Sequence, residues 1–205
     1  MPVSWGVVVP VKLLHLAKTR LGAYGPAGRA ELALAFAGDV VDAARACPSV
    51  HEVLVVTDDV RAARALAGPG VRVVPDLRDA GHNPALAHGA LLLRAGDPEA
   101  GVAALSADLP AVRSDDLAAA LACVGARAFV SDTSGAGTTL LAAAPGYPLD
   151  PSYGAGSAAR HRASGAMELP GTPGLRRDVD TPEDLAQALA LGVGPRTATA
   201  VAGLS

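Results

Sequence analysis

The chain has 205 residues, half of them apolar, 18% charged and only 3% aromatic, which suits one folded domain with a large aliphatic core. A formal charge of −3, with no basic block anywhere, excludes the charge pattern that neutralises a nucleic-acid backbone. No stretch approaches eighteen consecutive apolar residues and the first residues lack a basic start, so the chain reads as cytoplasmic, with no membrane partner.

Apolar runs alternate with helical patterns along the chain, the mark of βαβ units and a mostly parallel sheet. The expected strands are 3–9, 53–57, 71–74, 102–106, 128–131 and 139–143; the expected helices are 27–46, 60–67, 84–94 and 114–124. A short helix from Ser157 and a last helix at 182–191 follow a Pro/Gly-rich stretch. The resulting expectation is a single α/β domain over 1–191, three layers deep (αβα) and Rossmann-like, with a frayed, functionless tail at 192–205. Cys47 and Cys123 fall at helix ends, far apart and without metal-ligand spacing beside them, which argues against a disulfide or zinc site.

After the first strand, Pro10 opens a loop that carries Lys12, Lys18 and Arg20. Three cations there suit a polyphosphate, although the segment has no P-loop spacing and ordinary surface lysines would look the same. The second strand ends at Asp58 and Asp59; Asp59 suits a helix cap, and Asp58 either caps or lines a crevice. Asn83 precedes Pro84 at the start of a helix, as a cap or as an amide that reads a nucleobase edge. His82 and His88 have no metal-ligand partner at useful spacing and read as surface or core residues.

The fourth strand, VAALS, delivers Asp108 to its carboxyl end, and Leu109-Pro110 stops it there, which is how open α/β sheets present a metal ligand to a crevice. In SGAGTTLL, Gly135 and Gly137 flank a turn with the Thr138 and Thr139 hydroxyls beside it, read either as an anion nest or as a plain hairpin. In SYGAGSAARH, the glycines Gly154 and Gly156 lead to Ser157 at a helix start, with Arg160 one turn on, a site suited to phosphate. Near the carboxyl end, Thr181 caps the last helix, but Asp178 and Asp180 are not used up by capping. Their alternation around Val179 turns both to one face, where a carboxylate meeting Asp108 would complete a magnesium site.

Taken together, PVK, AKTRLG, VVTDD, GHN, SADLP, SGAGTTLL, YGAGSAARH and DVDTPEDL resemble the guanylyltransferases of coenzyme F420 biosynthesis, which act on 2-phospho-L-lactate or phosphoenolpyruvate. The resemblance spans about 7–189; SADLP and DVDTPEDL are shared with the wider nucleotidyltransferase superfamily, including molybdopterin and sugar-phosphate enzymes, while GTTLL and GSAARH narrow it. It implies a nucleotide-diphospho-sugar transferase-like fold and a magnesium-dependent transfer of GMP from GTP. Lys12, Lys18 and Arg20 would hold the triphosphate, beside Pro10, with Asp58 and Asn83 near guanine and ribose. Asp108 and Asp180, with Asp178 as a third candidate, would bind Mg2+. Thr138, Thr139, Gly154, Ser157 and Arg160 would hold the phosphorylated acid, phosphoenolpyruvate or 2-phospholactate. His82 stands where an apolar residue is expected. A rival of another class, a receiver-like signalling module phosphorylated at Asp58, needs a lysine near the last strand, and Lys12 and Lys18 are the only lysines in the chain.

Overall fold

Two strands made almost wholly of small and β-branched apolar residues set the centre of the molecule: β1 (Trp5–Pro10) and β4 (Gly101–Leu105), both buried along their full length. Such runs belong to parallel strands covered on both faces. The computed structural model describes residues 3–76 and 81–204. It arranges β1 and β4 with β2 (Val50–Val56), β3 (Val71–Val74), β5 (Arg127–Ser131), β6 (Thr138–Ala143) and the short β7 (Met167–Glu168) in the order β3-β2-β1-β4-β6-β5-β7. Among these seven strands, only the pairings of β6, with β4 and with β5, are antiparallel.

Helices cover both faces. α1 (Gly25–Ala46), α2 (Val60–Leu66) and α4 (Ser114–Ala122) pack with Val7, Val9 and Leu105 on one side. α3 (His82–Gly96) and α5 (Ser157–Ala163) pack with Val8, Leu54 and Leu141 on the other. Small residues permit this close layering: a Cβ at Gly89 of α3 would lie 2.7 Å from Val8 Cγ1. Because β1 feeds α1 on one face while α3 returns to β4 on the other, strand order reverses between β1 and β4. In open α/β sheets a crevice opens outside the carboxyl ends at such a point.

The element boundaries expected from sequence shift in informative places. α3 starts at His82, with Gly81 at its N-cap at φ 93°, so Asn83 lies inside the first turn rather than capping it. α6 (Pro173–Arg176), capped by Thr172, and two short 3-10 turns, Leu14–Leu16 and Gly22–Tyr24, complete the loops around the sheet. The helix α7 (Pro182–Leu191) has the Thr181 cap read from sequence, as a capping box closed with Asp184.

The frayed tail does not hold. Residues Pro195–Gly203 form α8, docked on the outer face of α1, where Leu32 and Phe36 join Leu185 with Val193 and Leu204 packed against them. The reason lies far away in sequence: the buried Asp39 of α1 accepts from the amides of Arg196 at 3.0 Å and Thr197 at 2.9 Å, capping α8 from outside. Upstream, the Gly194 amide donates to the Pro110 carbonyl at 2.8 Å, tying this segment to the turn after Asp108. Asp39→Ala is expected to cost about 1–2 kcal/mol, lowering the thermal midpoint by about 3–8 °C in a circular-dichroism melt; an unchanged midpoint would remove Asp39 from this role.

Candidate active site

The crevice at the reversal point has a volume of about 430 Å3 and is walled by the loop after β1 and the turn after β4. Pro10, Lys12, Lys18, Arg20, Asp108 and Asp180 all line it, so the sequence elements at both ends of the chain meet there. At its centre, Lys18 Nζ lies 2.6 Å from Asp108 Oδ2 and 2.9 Å from Asp180 Oδ1. Arg20 lies 3.7 Å from the other Asp180 oxygen and is otherwise exposed.

Local structure makes this convergence possible. Lys18 adopts φ 52°, left-handed backbone that costs a lysine about 1–2 kcal/mol, and such strain concentrates at functional sites. The loop that holds it is anchored by Asp59: one carboxylate oxygen caps α2 through Arg61 and Ala62, and the other accepts from the Leu14 amide at 2.9 Å. The Asp108 carbonyl accepts from Val179 at 3.0 Å, which stitches the β4 turn to the segment carrying Asp178 and Asp180.

The crevice brings cations and carboxylates into close contact. Burial works against the Lys18 ammonium, yet Asp108 and Asp180 outweigh it and hold its pKa above the ordinary lysine value. Asp178 is pushed up to about 6, first by burial and then by the negative charges of Asp108, Asp132 and Asp180. Two carboxylates focused within 3 Å of one cation are a hard-oxygen donor set for a divalent ion of the magnesium type. Among the described residues no three His, Cys, Asp or Glu side chains converge as a metal group. The fit is therefore to an ion held by two carboxylates, with phosphate oxygens and water completing its shell.

A smaller hollow of about 190 Å3 adjoins the crevice and shares Pro10, Lys12 and His82 with it. Asp58 lines this hollow and accepts from the Asp76 amide at 3.0 Å. His82, read from sequence as a bystander, lines both spaces; burial and the neighbouring Lys12 charge lower its pKa. Nothing in its spacing could reveal this, since the partners come from three separate loops.

The glycine-rich loop after β6 stands beside the crevice, linked through Tyr153, whose ring meets His82 at 5.2 Å and His161 at 5.3 Å. Several expected ligands have other work here. Asn83 exchanges both amide atoms with the Tyr153 backbone, at 2.7 and 3.1 Å, and clamps the loop. Arg160 donates to the carbonyls of Ser152 and Ala155, stapling the same loop. The turn at Gly135 is a hairpin turn held by Asp132, which accepts from the amides of Gly135 and Ala136.

Thr138 and Thr139 part ways because of a β-bulge. Ser131 pairs with Thr138 while Val130 pairs with Leu140, leaving Thr139 as the extra residue. The Thr139 hydroxyl then turns to the Val130 carbonyl at 3.4 Å, whereas Thr138 faces α5, meeting Ser157 Oγ at 3.1 Å and His161 Nδ1 at 2.9 Å. Among the described residues, the exposed amides of Gly154, Ala155 and Gly156 have no protein acceptor, leaving donors free at this loop. His161 is wholly buried; burial, then the charges of Arg127 and Arg160, push its pKa down to about 4, so the ring is neutral at pH 7.

A sheet reversed at β6, a basic loop after β1 and paired aspartates at the crevice define a nucleotidyltransferase. The model of the MobA-like NTP transferase domain matches residues 34–177. Among solved structures, a putative nucleotide-diphospho-sugar transferase from Desulfovibrio desulfuricans superposes with a TM-score of 0.64 at 19% identity, covering 89% of this chain and 85% of that one. Closer in sequence are phosphoenolpyruvate guanylyltransferases of Thermomonospora curvata (57% identical, covering 97% of this chain and 89% of the relative) and Streptomyces coelicolor (56%, covering 98% and 97%). The chain belongs to the phosphoenolpyruvate guanylyltransferase family.

Proposed function

We propose that this protein is a cytoplasmic enzyme that transfers the guanylyl group of GTP to the phosphate of phosphoenolpyruvate, releasing pyrophosphate and forming enolpyruvoyl-2-diphospho-5'-guanosine. The observation that carries this reading is the crevice in which Lys18 bridges Asp108 and Asp180 next to a hydroxyl-bearing glycine loop. It agrees with the names of the near relatives.

In the reaction an oxygen of the acceptor phosphate forms a bond to the α-phosphorus, and the bond to the β-phosphate oxygen breaks in line with it. Two anions must meet, so the first requirement is positive charge. Lys12, Lys18 and Arg20 supply it along the triphosphate, with Pro10 beside them. Asp108 and Asp180 would hold a divalent cation, magnesium in this reading, with Asp178 close by; when bound it neutralises charge on the α-phosphate and the departing pyrophosphate. The adjoining hollow, with Asp58 and His82, would receive the nucleoside. Thr138, Ser157 and the free amides of Gly154 and its neighbours would hold the acceptor. Its phosphate is already ionised at neutral pH and needs no strong base, so positioning does most of the catalytic work.

Purified protein is expected to release pyrophosphate from GTP with magnesium and phosphoenolpyruvate, and far less from ATP or CTP. Parallel assays with 2-phospho-L-lactate separate the two acids. Release with neither acid, but with a sugar phosphate or a pterin phosphate, would overturn the assignment.

A further inference from the structure

Behind the acceptor loop lies a buried chain of hydrogen bonds whose direction can be fixed. The Ser152 amide donates to His161 Nε2 at 2.9 Å. An amide nitrogen only donates, so Nε2 carries the lone pair, and in the neutral ring Nδ1 carries the hydrogen. Nδ1 therefore donates to Thr138 Oγ1 at 2.9 Å. Thr138 and Ser157 together own two hydroxyl protons, and one of them is used in the 3.1 Å contact between their oxygens.

With Thr138 already accepting from His161, the remaining proton has no acceptor within the pair and stays available to another acceptor. The opposite tautomer would consume it, because Thr138 would then have to donate to the ring. Ser157 and His161 are sealed at 1% and 0% exposure, while Thr138 keeps 7%. The free amides of Gly154, Ala155 and Gly156 belong to the same loop.

We propose that His161 is a positioning residue for the acceptor subsite: it fixes the Thr138–Ser157 hydroxyl pair as a hydrogen-bond donor to a phosphate or carboxylate oxygen of the acceptor acid. It touches no substrate itself and acts through Thr138. Phe129, 5.9 Å away, and Tyr153 pack against the ring and hold its plane. The assignment rests on the reading of the acceptor as a small phosphorylated acid held at this loop.

The test separates the two substrates. In His161→Phe the KM for phosphoenolpyruvate is expected to rise about 10-fold or more, the loss expected for one hydrogen bond to a charged group, while the KM for GTP stays within about 2-fold and kcat within about 3-fold. In a Thr138→Val background the same change is expected to add less than about 2-fold, since the bond it acts through is gone. Rescue discriminates further: His161→Asn sets an amide nitrogen where Nδ1 lay and keeps the acceptor KM within about 3-fold of wild type, whereas His161→Gln sets one where Nε2 lay and does not. This Asn and Gln comparison decides the matter if His161→Phe fails to fold. Equal KM values for the two, a parallel rise in the KM for GTP, or additive losses with Thr138→Val would overturn the assignment. A wild type silent with both acids overturns the functional reading and this assignment with it; an active wild type with unsplit variants overturns the assignment alone.

Discussion

Asp108→Asn is expected to lower kcat for pyrophosphate release by at least about 10^3-fold, equivalent to about 4 kcal/mol of transition-state stabilisation. The substitution keeps size and shape and removes one negative charge from a focus of two. Asp108 carries a charge that an amide cannot replace: in the proposed reading it is one of the two carboxylates that would hold a divalent cation, and it pairs with the Lys18 ammonium at 2.6 Å. Folding is affected far less, because Asp180 still neutralises the buried ammonium at 2.9 Å and the Asp108 backbone bond to Val179 is untouched. The thermal midpoint is expected to fall by no more than a few degrees. A variant that keeps a tenth of wild-type kcat would remove Asp108 from the cation site, and one that unfolds at room temperature would make the pair structural.

The route from sequence to structure succeeded where a signal was local and failed where it was not. β1 and β4 announce themselves as apolar runs, and Asp59 and Thr181 sit one position before their helices. The crevice follows from those elements, because a reversal in strand order leaves only one place for the loops after β1 and β4 to meet. By contrast, the cap of α8 comes from Asp39, 157 residues before the Arg196 amide it accepts from, and no helix-start pattern near Pro195 carries that information. Asn83 and Arg160 have side chains suited to ligands, but the bonds that occupy them go to backbone atoms of a loop whose path the sequence does not specify. Thr138 and Thr139 are adjacent and alike in chemistry; a one-residue register shift against β5 decides which of them faces α5. The role of His161 is hidden for the same reason, since its meaning depends on the Ser152 amide that selects its tautomer.

Lys18→Met isolates the charge at the centre of the crevice, because methionine retains most of the unbranched stem. Removing the ammonium leaves Asp108 and Asp180 facing each other with the exposed Arg20 3.7 Å from Asp180, and it removes a cation from the expected path of the triphosphate. The KM for GTP is expected to rise and kcat/KM to fall by about 10^2-fold or more, the scale of losing one fixed charge stabiliser at a reacting phosphate. Binding of magnesium or manganese to the nucleotide-free protein, followed by calorimetry, is expected to change in the opposite direction. Two carboxylates freed of their competing ammonium should bind a divalent ion several-fold more tightly, since the ion no longer has to displace Lys18. These opposed shifts distinguish a lysine that serves both phosphate and carboxylates from one that merely braces the fold. Loss of both affinities together would mean that the thioether side chain had disordered the loop, and an unchanged KM for GTP would place the triphosphate elsewhere.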